Sequence, residues 1–245
     1  MPVECRIAGF GSRLGKEELT AEELCKRFSK PVDVHLRNAG TEVLHYIPRK
    51  ADDMSADGLI GMSVMAAADA MEQAHVRYGD IDAIFAGSSG TCRRRWPEYA
   101  VQVGYLMGSR NMPRETVSRG CGGGVAALVH AKRYIETHWN PGRDVTCLVF
   151  AGDRITDWLN PADYGTCALF SDGAAATVVT TKGNASDDGL GQYLIEAADA
   201  TNIASGEFAM SLENNNDVKK IISAWTARLY TGLPCSGHFR LPHGC

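Results

Sequence analysis

The chain has 245 residues, 44% of them hydrophobic, and 25 Lys and Arg against 29 Asp and Glu leave a formal charge of −4. An ordinary core can form in a chain of this size, and the mild acidity argues against a nucleic-acid-binding protein. No run approaches the roughly 18 apolar residues of a membrane span, and residues 1–15 carry charges and glycines where a signal peptide has its apolar core, so a cytoplasmic protein off the membrane is expected.

Hydrophobic periodicity sets out the elements in chain order. Leu59, Met62, Met65, Ala66, Ala70 and Met71 form a helical stripe over residues 57–75, with Asp57 placed to cap or begin it. Residues 81–87 read as a strand running into a Ser88-Ser89-Gly90 turn. The Arg93-Arg94-Arg95 run follows, a solvated loop or a contact to the phosphates of a coenzyme. Then come a helix over 99–107, a short strand over 115–118, a helix over 125–138, and two apolar strands over 145–152 and 174–181. Strands that lack polar alternation and alternate with helices imply an α/β layer structure with its sheet covered on both faces.

The eight cysteines contain no CxxC pair and the seven histidines have no ligand spacing, so neither a disulfide framework nor a metal site is predicted. One cysteine stands apart. In Arg119-Gly120-Cys121-Gly122-Gly123-Gly124 a glycine cluster leads into the apolar helix, which puts Cys121 where unpaired backbone N–H groups and the helix dipole favour an anion. A thiolate there can act as a nucleophile, and the amide of Cys121 can face an oxyanion. The competing reading is a small buried residue at a tight turn, with glycines serving close helix packing. Arg119 fills the position that a hydrolase elbow of the G-x-C-x-G type keeps small, and the glycines do not form G-x-G-x-x-G. Asp153, Asp163 and Asp172 read as strand-end and turn aspartates that satisfy backbone donors.

Cys121 in this setting, followed by the helix and by Cys147-Leu148-Val149-Phe150-Ala151-Gly152-Asp153, resembles the ketoacyl-acyl-carrier-protein synthase III family of thiolase-fold condensing enzymes. A second block, Asn160-Pro161-Ala162-Asp163-Tyr164-Gly165-Thr166 with Leu169-Phe170-Ser171-Asp172-Gly173-Ala174, is similar to the family's D-x-x-D-R-G-T and F-G-D-G-A-G-A. Tyr164 stands where arginine is usual and Ser171 where glycine is usual. The likeness covers residues 57–181 and is weak before residue 50.

The resemblance implies an α/β thiolase-like fold of duplicated βαβαβ halves in a layered α-β-α arrangement, with residues 1–181 as the N-terminal half and 182–245 as the start of an incomplete second half. It also implies an acyltransferase that forms an acyl-cysteine at Cys121 from an acyl-coenzyme A or acyl-carrier-protein thioester. Decarboxylative condensation with a malonyl thioester would follow. Pro242-His243 resembles the family's P-H-Q-A-N segment and makes His243 the second catalytic candidate, with His238 as its rival. The family's coenzyme-binding R-T-G-I-x-x-R has its one remnant here in Arg49. The thioester is substrate, and no cofactor or metal is implied. A homodimer, or a heterodimer with a thiolase-fold partner, is expected. The alternative is a non-catalytic subunit that scaffolds an active synthase. Residues Leu190, Phe208 and Met210 are candidates for lining an acyl tunnel, or core.

Overall fold

The computed structural model describes residues 3, 5–89, 99–108 and 111–182, together with the backbone of 193–194. The centre is a six-stranded mixed sheet in the order β5-β4-β6-β7-β1-β8. Its strands are β1 (Arg6–Leu14), β4 (Ala83–Ser88), β5 (Arg114–Ser118), β6 (Thr146–Asp153), β7 (Gly173–Thr180) and β8 (Tyr193–Leu194). β4 runs parallel to β5 and β6, whereas β7 is antiparallel to β6 and β1 antiparallel to β7.

Both faces of the sheet are apolar, and the strand period of two sorts residues between them. Ile84, Ala86, Leu148 and Phe150 point to the side covered by α3 (Leu59–Gln73) and α4 (Tyr99–Leu106). Ala83, Phe85, Cys147 and Val149 point to the opposite side, where α5 (Gly123–His138) supplies Ala126, Ala127, Ala131 and Ile135. The result is a three-layer α-β-α unit, as the periodicity implies.

α3 lies against the glycine-rich strand β1 at unusually short range. A Cβ on Gly11 would sit 2.3 Å from the Ala66 carbonyl oxygen, and one on Gly9 would sit 2.2 Å from that of Ala70. Alanines on the helix and glycines on the strand let the two backbones touch. Beyond the stretch of β1 that β8 pairs, side chains of α3 meet the strand as well: Gln73 accepts from the Phe10 amide at 2.7 Å, and Asp69 pairs with Arg13.

Two details depart from the periodicity. Asp57 does not cap α3; the N-cap is Gly58, the carbonyl of Asp53 takes the amides of Ile60 and Gly61, and Asp57 instead pairs with Lys16 at 3.0 Å. Residues before 50 are also ordered into a small unit: β2 (Glu17–Thr20), α1 (Ala21–Phe28), α2 (Val32–Ala39) and β3 (Val43–Tyr46), with β2 and β3 antiparallel. This flap packs Leu24 and Leu44 on Cys167 and Ala168, in and just beyond the short helix α6 (Tyr164–Cys167). Among the described residues no helix is long and apolar enough to cross a membrane. Apart from Lys182 and the backbone of β8, residues 182–245 lie outside the described ones.

Candidate active site

Cys121 sits in a one-turn 3-10 segment, Gly120–Gly122, that feeds directly into α5. Gly120 has φ +54°, a left-handed conformation that glycine accepts without strain. The turn is seated on the C-terminal end of β4 by contact of backbone with backbone. A Cβ on Gly87 would fall 2.4 Å from the Gly123 carbonyl carbon, and one on Gly123 would fall 2.4 Å from the Ser88 carbonyl oxygen. The Arg119 amide donates to that same Ser88 oxygen at 3.3 Å, and Gly124 closes on the Ala151 side chain of β6. The sulfur is therefore carried at the carboxyl ends of the parallel strands β4, β5 and β6, where open α/β sheets place their ligands.

Of the five cysteines described, Cys121 alone is exposed; Cys5, Cys25, Cys147 and Cys167 are buried. Burial pushes the thiols of Cys5, Cys147 and Cys167 up, which keeps them protonated and inert.

The three aspartates satisfy donors, as read from the sequence. Asp163 accepts from the Gly165 amide at 2.9 Å and the Thr166 hydroxyl at 2.8 Å. Asp172, 1% exposed, accepts from the amides of Ile47 at 2.9 Å and Thr156 at 3.0 Å. Asp153, at the end of β6, accepts from the Ser89 hydroxyl at 2.8 Å, the Ser89 amide at 3.1 Å and the Ser88 hydroxyl at 3.3 Å. Burial raises the pKa of Asp153 and Asp172 against the pull of these bonds. The clasp of Asp153 on Ser88 and Ser89 was not foreseen: nothing in the spacing of residues 88 and 153 shows that β4 and β6 are neighbours.

Arg49 lines a cleft of about 840 Å³ whose walls include Arg27 and Tyr46 of the flap, together with Arg154 and Trp158. Neither Cys121 nor any other residue of 116–124 lines it, so the structure does not bring Arg49 and Cys121 together in one pocket. The cleft is charge-balanced, because Glu17, Asp53 and Asp157 face its three arginines. Arg154 is already bound to Asp53 at 3.2 Å and to the Pro48 carbonyl at 2.9 Å. His243, His238, Arg93–Arg95, Leu190, Phe208 and Met210 all fall outside the described residues.

Tyr164 occupies the position where the resembled motif has arginine. His35, 1% exposed, holds the Thr41 carbonyl with Nε2 at 2.7 Å, so in the neutral ring its Nδ1 accepts from the Tyr164 hydroxyl at 2.9 Å. The tyrosine thus ties α6 to the flap. On the helix behind Cys121, His130 faces Glu115 at 2.9 Å and His138 lies at the C-terminal turn against the Tyr134 carbonyl at 2.8 Å.

Residues 116–198, which hold Cys121 and the two blocks after it, match the model of the family 3-oxoacyl-[acyl-carrier-protein (ACP)] synthase III. The chain is 31% identical over 118 residues to the beta-ketoacyl-[acyl-carrier-protein] synthase III of Helicobacter pylori (strain G27), covering 48% of this chain and 34% of that protein. It is 31% identical over 176 residues to the enzyme of the same name from Bartonella tribocorum, covering 71% of this chain and 50% of that one. The crystal structure of 3-oxoacyl-[acyl-carrier-protein] synthase III from Aquifex aeolicus VF5 superposes with a TM-score of 0.62 at 25% identity, over 75% of this chain and 55% of that one. The chain therefore spans about a third to a half of the length of these curated relatives.

Proposed function

Because this chain is related to the 3-oxoacyl-[acyl-carrier-protein] synthase III family and shares its thiolase-like fold, we propose that it carries the acyl-accepting half of a condensing reaction, with Cys121 as the nucleophile. The observation that supports this most is the contrast among the cysteines: the exposed one stands at the mouth of α5 above the parallel strand ends, while the others described are buried.

The Cys121 thiolate forms a bond to the carbonyl carbon of an acyl-coenzyme A or acyl-carrier-protein thioester, and the carbonyl electrons move onto oxygen. Backbone amides at the start of α5 favour that oxyanion electrostatically. Collapse breaks the bond to the carrier sulfur, which leaves and takes up a proton, and an acyl-cysteine remains. In the second half-reaction a malonyl thioester loses carbon dioxide, its enolate carbon attacks the acyl-cysteine carbonyl, and the Cys121 sulfur departs with the β-ketoacyl product released. His243 is the candidate that would hydrogen-bond the enolate oxygen in that step. Arg49, which lines a cleft that Cys121 does not reach, is proposed as a contact for the carrier portion. A dimer with a second thiolase-fold chain is part of the same reading.

The test is the intact mass of the 245-residue chain after incubation with acetyl-coenzyme A. One added acetyl group, located on the Cys121 peptide and absent from Cys121→Ala, is the expected result. An unmodified chain, or an adduct that persists in Cys121→Ala, would overturn the proposal and favour a non-catalytic scaffold.

A further inference from the structure

Cys121 is held by an arrangement whose far end is a carboxylate on a different strand. Asp153 ends β6, and its two oxygens accept from the hydroxyl and amide of Ser89 and from the hydroxyl of Ser88. Ser88 ends β4, and its carbonyl oxygen does two things at once: it accepts the Arg119 amide, and it lies where a Cβ on Gly123 would collide at 2.4 Å. The residues on either side of Cys121 are thus registered against Ser88, and Ser88 is registered against Asp153. Residue 121 is flanked by Gly120 and Gly122, and two glycines leave the chain free to take many other conformations.

We propose that Asp153 is the positioning residue of the Cys121 turn, acting through Ser88 and Ser89. It does not touch substrate. It fixes the end of β4 so that the turn and the first amides of α5 keep one geometry, which an acyl-transfer step needs at sub-ångström tolerance. The chemistry at Cys121 rests on the function proposed above; the mechanical link from Asp153 to the turn does not.

Two variants of the full chain test this. Asp153→Asn keeps the shape of the side chain and replaces one acceptor with a donor, against donors at Ser88 and Ser89. Ser89→Ala removes one hydroxyl from the other end and leaves the backbone amide in place. Hydrogen bonds to a charged carboxylate are the stronger kind, so amide exchange over residues 119–124 should accelerate by roughly 10-fold or more in Asp153→Asn, and by less in Ser89→Ala. Exchange in α3 and β7 should stay at the wild-type rate, whereas a purely structural loss would speed every element together. Unchanged exchange at 119–124 in both variants, or uniform acceleration across the sheet, overturns the proposal. Acetylation by acetyl-coenzyme A is read in parallel and should fall by about the same factor as local order is lost. If wild-type Cys121 takes no acetyl group while the exchange pattern appears as described, the function proposed above fails and the role of Asp153 stands.

Discussion

The Tyr164 hydroxyl is the partner of a histidine nitrogen that has no access to water, since His35 is 1% exposed and its other nitrogen is taken by Thr41. Tyr164→Phe removes the donor and strands Nδ1, and a buried acceptor without a partner costs about 1–3 kcal/mol. The urea midpoint should fall accordingly, while Phe28, which meets the Tyr164 ring edge-on at 5.5 Å, keeps its packing. Tyr164→Arg, which installs the residue of the resembled motif, should be worse than phenylalanine, because it places a cation beside Lys30, whose ammonium already lies 5.7 Å from that ring. The departure from the motif is thus coupled to the flap. Tyr164 could be singled out from the sequence as a deviation; its partner could not, because 129 positions separate it from His35.

At the scale of elements, the longer helices and strands between residues 59 and 180 (α3, α4, α5, β4, β6 and β7) were legible, since each carries an apolar stripe or run. The flap and β1 were not, for two physical reasons. β1, with the sequence RIAGFGSRL, has glycines where a strand usually has β-branched residues, and these serve the approach of α3, which lies far along the chain. Helix α1 is only 8 residues long, yet it does carry a signal: Thr20 and Glu23 form a capping box, in which each side chain takes the other's backbone amide. That pattern could have located the helix. The tight seam between β1 and α3 is directly testable. Gly11→Ala would drive a Cβ to 2.3 Å from the Ala66 carbonyl, and overpacking of this kind costs about 1–3 kcal/mol or more. A thermal melt that leaves the variant as stable as wild type would show that the helix can retreat from the strand.

For the molecule as a whole, buried carboxyls set part of its response to acid. Burial raises Asp153 and Asp172 above the ordinary carboxylate value of 3.8, while Asp69, bonded to Arg13 at the surface, is lowered. A raised acid binds its proton more tightly in the folded chain than in the unfolded one. Its contribution to stability is therefore full below 3.8 and is lost as pH rises through the folded-state value. The asparagine variant imitates the protonated form at every pH. Urea midpoints of wild type and Asp172→Asn should accordingly lie close together near the ordinary carboxylate value and separate as pH rises toward neutrality, with the variant the higher. A wild type that gains on the variant as pH rises would mean that the bonds from Ile47 and Thr156 outweigh burial.

The contact of Gly87 with Gly123 carries a consequence for how such a protein diversifies. Main-chain atoms in contact set the height of the turn above the sheet. Side chains lining the approach can then be exchanged over generations, and the choice of acyl group can wander, while the reactive atom keeps its station.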